Sequence, residues 1–410
     1  MPANSSIYRK WIKRSARVAN NSARNIVPLL INSITSVLVI KFTSFSVWGV
    51  IVSYLIISNL AAQLAAWGSK QQLIREFSLE PSKIGVLWNA NLQSRFPLLL
   101  LVSIIILLLN FPGEIRGLLV LLQFLLFFSR SYEVMIVYLK KMGFFLICET
   151  ILAILFVGAI LLKHQSLSAS LILFLFICTE FFRLAVAAIY FRKSVHFYFP
   201  IRLDYKILRD GLIFYCLGTL GMLQTRLDLY FVAILLTKDE LAVYQVLLNF
   251  IILTQAATGY IIQPFLKEIY RMNRNLLSRF SQKFTLYGLI IAIPATLSIG
   301  LIMEKIYGIS ISTTVLVLSF CYIVPIFYYT IRVYILLKIK KEALVLFTGI
   351  SVLILSLPLN YYLISIFRFT GALSAGVAGE FLSLLFYYYF ERRVGLAGGS
   401  KKLISQTERG

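Results

Sequence analysis

Eleven ionisable side chains stand inside stretches otherwise built largely of Leu, Ile, Val and Phe: Arg24, Arg95, Arg130, Glu133, Glu149, Glu180, Arg183, Arg226, Asp228, Arg332 and Glu380. A charge facing hydrocarbon at the middle of a helix costs about 2.5–3.5 kcal/mol on insertion scales. Arg24 and Arg332 lie within a turn of the end of a run, where a long side chain reaches water. The rest would together cost on the order of 20 kcal/mol, more than a typical folding margin, so they must share a polar interior. Arg130 with Glu133, and Glu180 with Arg183, are i,i+3 pairs on one helical face. Each pair reads either as an ion pair that fixes helix rotation, or as a cation offered to an anionic substrate beside a carboxylate that exchanges a proton or sodium ion. Arg226 and Asp228 are two apart, point in different directions and need partners on other helices. Glu380 has no charged neighbour within a turn, which makes it the leading candidate for ion coupling.

Other chemistries find no residues to carry them. The histidines, His164 and His196, are expected on opposite sides of a membrane, which removes a His-based acid/base or metal site. No GxxxxGK[ST] loop is present, so ATP hydrolysis is not expected. Cys148, Cys178, Cys216 and Cys321 lie in apolar runs without CxxC spacing and read as small core residues. No catalytic residues, metal or bound cofactor are expected, and a proton or sodium gradient is the candidate energy source.

The elements that must hold these charges are membrane-spanning helices. Residues are 59% hydrophobic and only 14% charged, against about half and a quarter in soluble domains. Runs of about 20 apolar residues, enough to cross a bilayer, are predicted at 24–40, 45–68, 84–110, 117–139, 143–162, 168–191, 211–236, 241–265, 284–304, 309–335, 343–366 and 370–390. The third is the least regular, because WNANLQSR precedes its apolar part. An even number of spans puts both termini on one side. Of the 40 Lys and Arg residues, 28 fall on the side of the N-tail, the connectors 69–83, 140–142, 192–210, 266–283 and 336–342, and the C-tail. Six fall on the other: Lys41, Arg116, Lys163, Lys238, Lys305 and Arg368. Cytoplasmic connectors carry such an excess, so both termini are expected in the cytoplasm. The net charge of +23 is then a topology signal, and no folded polar domain exists to present a nucleic-acid-binding face.

The segments VWGVIVSYLI (47–56) and VYQVLLNFII (243–252) resemble each other at an offset of 196 residues, which suggests parallel repeats. The expected organisation is a basic amphipathic lead-in over 1–23, a six-helix bundle over 24–191, a linker over 192–210, a second bundle over 211–390 and a tail over 391–410. Prolines at 28, 97, 264, 294, 325 and 358 permit kinks within spans. Aromatic clusters such as 327–329 and 386–390 are read as interface anchors.

ARNIVPLLINSITSVLVI, followed by SVWGVIVSYLIISNLAAQLAAWGSKQQLIREF, resembles the opening of polysaccharide-export flippases, with Ser46 to Gly49 at the family's "fG.y" motif. The stretch LGTLGMLQTRLDLYFVAILLTKDELAVYQVLLNF is similar to the family's central segment. Asp228 and Tyr244 match there, while Ala242 replaces a usual glycine. FTGALSAGVAGEFLSLLFYYY resembles its last helix, with Ser374 and Gly376 loosening the match.

The resemblance implies the multidrug/oligosaccharidyl-lipid/polysaccharide (MOP) exporter superfamily, and within it a Wzx-like flippase for O-antigen or capsule repeat units. Its fold would be all-α and polytopic, with about twelve transmembrane helices in two six-helix bundles around a central polar cavity. The implied function is to move an undecaprenyl-diphosphate-linked oligosaccharide across the inner membrane by alternating access, without enzymatic activity. Arg24, Arg95, Arg130, Arg183 and Arg226 would neutralise the diphosphate, and Glu149, Glu180, Asp228 and Glu380 would couple to protons or sodium. Membrane lipid, a polysaccharide polymerase and a chain-length regulator are the implied partners. The alternatives are a drug exporter of the same superfamily and, from another class, a membrane polymerase or glycosyltransferase.

Overall fold

The computed structural model describes residues 27, 29–195, 203–262, 269, 272, 274–339 and 341–393. Arg24, Pro28, His196, Pro264, the lead-in over 1–23 and the tail beyond Arg393 lie outside them. The described residues are helical with short connectors. The helices are α1 (Leu29–Phe42), α2 (Phe45–Ala66), α3 (Ser69–Leu79), α4 (Ile84–Leu108), α5 (Gly113–Tyr138), α6 (Met142–Leu162), α7 (Ala169–Phe191), α8 (Tyr205–Leu235), α9 (Lys238–Ile262), α10 (Arg274–Lys305), α11 (Thr313–Lys338) and α12 (Glu342–Arg393).

Among the described residues, nine helical segments are long and apolar enough to cross a membrane. One of these, within α12, is 51 residues long, twice what a bilayer needs. It is broken at Arg368, whose backbone (φ 52, ψ −124) is not helical, so α12 is two arms joined by a tight turn. At 31 residues α8 is also long enough to span, though Arg209, Asp210, Arg226 and Asp228 lower its hydropathy. With these the described residues hold eleven segments long enough to cross, and α1, apolar but shorter, stands where the first apolar run is predicted. Surface composition agrees: α6 leaves Ile147, Ile151, Ile154, Leu155 and Leu162 exposed, a face stable against lipid and not against water.

Hydroxyls set several helix starts. Ser44, Ser168 and Ser312 accept hydrogen bonds from the backbone N–H groups of Val47, Leu171 and Val315, capping α2, α7 and α11. Residues 69–83, expected as a loop, instead contain α3. Its buried Ser69, Gln72, Leu73 and Phe77 follow helical spacing, and at 11 residues the helix is too short to register as a span. The corner from α2 to α3 is made by Trp67 (φ 45) and Gly68 (φ 68) in the left-handed region. Aromatic and aliphatic side chains from α3, α4, α5 and α7, among them Phe77, Trp88, Phe127 and Phe191, form one buried core there.

Chain contacts divide the protein into two compact units. The first holds residues up to Met222 together with Leu236–Val246, and the second holds Leu223–Leu235 and the residues from Leu247 onward. The division passes through α8 and α9.

In the first unit, α2 is fastened at both ends. At its start the Trp48 indole N–H donates to Gln245 Oε1 at 2.9 Å, and Lys238 Nζ donates to Ser53 Oγ at 2.9 Å. Gly49 is required there, because a Cβ would fall 1.9 Å from the Lys238 carbonyl oxygen. At its end Trp67 stacks on Tyr215, with ring centroids 4.4 Å apart, and donates Nε1–H to the Leu208 carbonyl at 2.7 Å. Gln72 donates to the Ile207 carbonyl at 3.1 Å.

Candidate functional site

The first unit contains a cavity of about 390 Å³ walled by α1, α2, α5, α6 and α7. Most of its wall is aliphatic or aromatic, including Leu55, Leu122, Leu126, Leu152, Phe156 and Phe176. Into it project Arg130, Glu149, Glu180 and Arg183, with the amides of Asn32 and Asn59. These charges lie two to three helical turns from the ends of α5, α6 and α7 that bear the basic connectors. Three helices therefore deliver them to one depth.

Arg183 is the hub of this group. Its Nη2 meets Glu149 Oε1 at 3.0 Å and its Nη1 meets Glu180 Oε1 at 3.4 Å. Glu180 also accepts from Ser129 Oγ at 2.9 Å. The Glu180–Arg183 pairing expected from i,i+3 spacing is present, and Glu149 joins it from the neighbouring helix. Arg130 instead donates Nη2–H to Asn59 Oδ1 at 3.2 Å, while Glu133 accepts from Lys70 of α3 at 2.8 Å. The first unit thus offers two guanidiniums to its cavity, one held by carboxylates and one bonded to a neutral amide.

Arg95 does not open onto this cavity. It is 2% exposed, and its Nε donates to Asn91 Oδ1 at 2.8 Å, its Nη1 to the carbonyls of Ala65 and Ala66 at 3.2 and 3.4 Å, and its Nη2 to Ser131 Oγ at 2.9 Å. Phe127 lies 5.0 Å from the guanidinium carbon. The two carbonyls belong to the last turn of α2, where no intrahelical donor remains. Arg95 therefore caps α2 from another helix, with its charge at the negative end of the helix dipole. Arg332, expected to reach water, is instead held within the second unit by Glu391, Ser281 and the Tyr328 carbonyl, with its guanidinium 3.4 Å above the Tyr328 ring.

The second unit has a smaller cavity of about 100 Å³ that holds both Asp228 and Glu380. Asp228 is 2% exposed and accepts from Tyr322 Oη at 2.9 Å and from the Leu229 N–H at 2.7 Å. Glu380 accepts from Tyr329 Oη at 2.8 Å and from Gln255 Nε2 at 3.3 Å. Asn360, from the first arm of α12, donates to the Ser356 carbonyl, and its buried Oδ1 has no hydrogen-bond partner among the described residues. Arg226, on another face of α8, is not part of this wall.

Tyr329 thus belongs to a buried network and Phe327 to the core, so the 327–329 cluster is not an interface anchor. Tyr322 and Tyr329 were legible as a pair, being seven residues and two turns apart on one face of α11. Asn59, Gln255 and Asn360 carried no comparable signal. Among the described residues no group of three or more His, Cys, Asp or Glu side chains is arranged to hold a metal ion.

No protein-family model matches the chain, and no curated protein sequence matches it. Solved structures do. The lipid II flippase MurJ in an inward closed conformation aligns with a TM-score of 0.67 at 12% identity, over 90% of this chain and 86% of that one. An inward-facing multidrug-resistance MATE family transporter of the MOP superfamily aligns at 0.66 and 14% identity, over 90% and 96%. The eukaryotic MATE transporter AtDTX14 aligns at 0.56 and 13% identity, over 92% and 93%. At these identities the likeness is one of fold, and the protein has the polytopic all-helical membrane fold that MurJ and the MATE transporters share.

Proposed function

We propose that this protein moves an undecaprenyl-diphosphate-linked oligosaccharide across the inner membrane by alternating access, as a non-enzymatic flippase. The observation that carries the reading is the cavity of the first unit, where Arg130 and Arg183 project from an otherwise largely apolar wall. Such a wall suits an amphiphile, and two guanidinium forks suit the adjacent phosphoryl groups of a diphosphate. The likeness of fold to a lipid II flippase is consistent with that chemistry.

A cationic drug would need carboxylates free to receive it. Glu149 and Glu180 are in the cavity, but both are engaged by Arg183, which favours the anionic substrate over drug export. Asp228 and Glu380 are the coupling groups in this reading. Their cavity presents carboxylate, phenol and amide oxygens, among them Asn360 Oδ1, which has no hydrogen-bond partner among the described residues, a donor set suited to a proton or a hard monovalent cation. The excess of basic residues on one set of connectors supports cytoplasmic termini. A polysaccharide polymerase and a chain-length regulator are the partners such a flippase would serve.

The test is complementation of a strain lacking its own repeat-unit flippase. Wild-type protein should restore surface polysaccharide and Arg130→Ala should not, at equal membrane abundance. Full restoration by Arg130→Ala would remove the basis of the reading, and a change in drug susceptibility alone would favour the drug exporter.

A further inference from the structure

The polar groups that line the first unit's cavity are sorted by helix. Its four charges stand on α5, α6 and α7, whereas α1 and α2 contribute the neutral Asn32, Ser58 and Asn59. A diphosphate is served by the charged side alone. The neutral side then faces whatever the diphosphate carries.

These three side chains have bonding capacity to offer. Asn32 Oδ1 is buried and has no hydrogen-bond partner among the described residues. A buried acceptor in that condition is costly, and the cost is recovered when a ligand donates to it. Gln123, itself 1% exposed, donates Nε2–H to Ser58 Oγ at 2.7 Å and to the Ser58 carbonyl at 3.0 Å. A hydroxyl that accepts in this way keeps its own proton to donate. Asn59 accepts from Arg130 through Oδ1, and its amide N–H groups remain as donors. The α1–α2 wall thus presents an acceptor on Asn32 and donors on Ser58 and Asn59, with no charge among them.

That set fits a sugar. Each sugar hydroxyl both donates and accepts, and an acetamido group brings one N–H and one carbonyl. The C–H faces of a pyranose ring suit Leu55, Phe156 and Phe176 in the same cavity. A prenyl chain has no group that could satisfy Asn32. At about 390 Å³ the cavity lies toward the small end of the roughly 300–1,000 Å³ of small-molecule sites, room for the diphosphate and the sugar joined to it rather than for a whole oligosaccharide. The Asn59–Arg130 bond marks the seam between the two chemistries.

We infer that the α1–α2 wall is the recognition subsite for the first sugar, the one joined to the diphosphate, with Asn32 as its acceptor. The inference rests on the diphosphate reading of the cavity and adds what distinguishes one substrate from another when both carry that diphosphate.

The experiment uses the full chain in detergent and two synthetic ligands. The probe is a short-chain prenyl-diphosphate-N-acetylglucosamine. Its control is the matching prenyl methyl diphosphate, a diester of the same charge with a methyl group in place of the sugar. Wild-type protein should bind the probe at least about tenfold more tightly than the control, the worth of a hydrogen bond or two. Asn32→Leu should weaken the probe by about tenfold and leave the control unchanged, while Arg130→Ala should weaken both alike. The comparison of the two ligands on wild-type protein does not depend on a variant folding. Equal wild-type affinity for both ligands would overturn the subsite, the wall then holding only water. A sugar preference that survives Asn32→Leu, or a loss in that variant equal for both ligands, would overturn it too. In each of these cases a loss of both ligands in Arg130→Ala would leave the flippase reading standing. Wild-type protein that binds neither ligand would overturn both.

Discussion

Replacing Arg95 separates a residue that holds the fold from one that binds substrate. In Arg95→Met the aliphatic stem is kept and the guanidinium is lost, so little volume changes. Three acceptors lose their donor: the buried Ala65 carbonyl and Asn91 Oδ1, and the half-buried Ala66 carbonyl. Ser131 Oγ is less affected, because its own hydroxyl donates to the Phe127 carbonyl at 2.7 Å. An orphaned buried acceptor costs about 1–3 kcal/mol. The two buried acceptors sum to about 2–6 kcal/mol, a large share of the roughly 5–15 kcal/mol that holds a typical protein folded. Arg95→Lys keeps a charge but not the fork, and should lose about half as much. The assay is thermal unfolding of purified protein in detergent, run beside probe binding on whatever fraction remains folded. Both variants should melt at lower temperature, Arg95→Met by the greater margin, and the surviving protein should bind the probe with wild-type affinity. If Arg95→Met melted like wild type and lost only probe binding, the capping account would be refuted and the substrate-binding role expected from sequence would stand.

Gly49→Ala would place a methyl group 1.9 Å from the Lys238 carbonyl oxygen; it should destabilise by about 1–3 kcal/mol, read as a lower melting temperature. Trp67→Phe can keep the stack on Tyr215 but loses the bond to the Leu208 carbonyl, so it should cost about 1 kcal/mol in the same assay, and Trp67→Ala clearly more. Arg332→Gln leaves Glu391 without its cation; a double-mutant cycle with Glu391→Gln should give a coupling energy of about 1 kcal/mol or more. Glu380→Gln keeps shape and removes charge, so transport into vesicles should persist down a substrate gradient and no longer respond to an imposed proton or sodium gradient.

The spans were legible because the cost of exposing a charge or a backbone amide to lipid is a property of one segment at a time. The same holds for the Glu180–Arg183 pair, whose spacing of three fixes its geometry on any helix. Glu149 was not legible as their partner, because contact between α6 and α7 depends on helix rotation, which apolar residues on every side of α6 do not specify. The fate of Arg95 was hidden for another reason. Two of its acceptors are main-chain carbonyls of α2, and a side-chain pattern does not show a helix end that lacks donors. Asn91, one turn before Arg95, was the available clue. In the 69–83 connector two signals overlap, because its basic residues mark a side of the membrane while the spacing of Leu73 and Phe77 marks a helix.

The two cavities differ in the charges they hold. In the first unit both carboxylates among the described residues of the cavity wall are bonded to a guanidinium. In the second unit the wall has two carboxylates, with phenols and amides as donors, and no Arg or Lys among its lining residues. An anion gains nothing there, and a cation or proton meets no guanidinium to repel it.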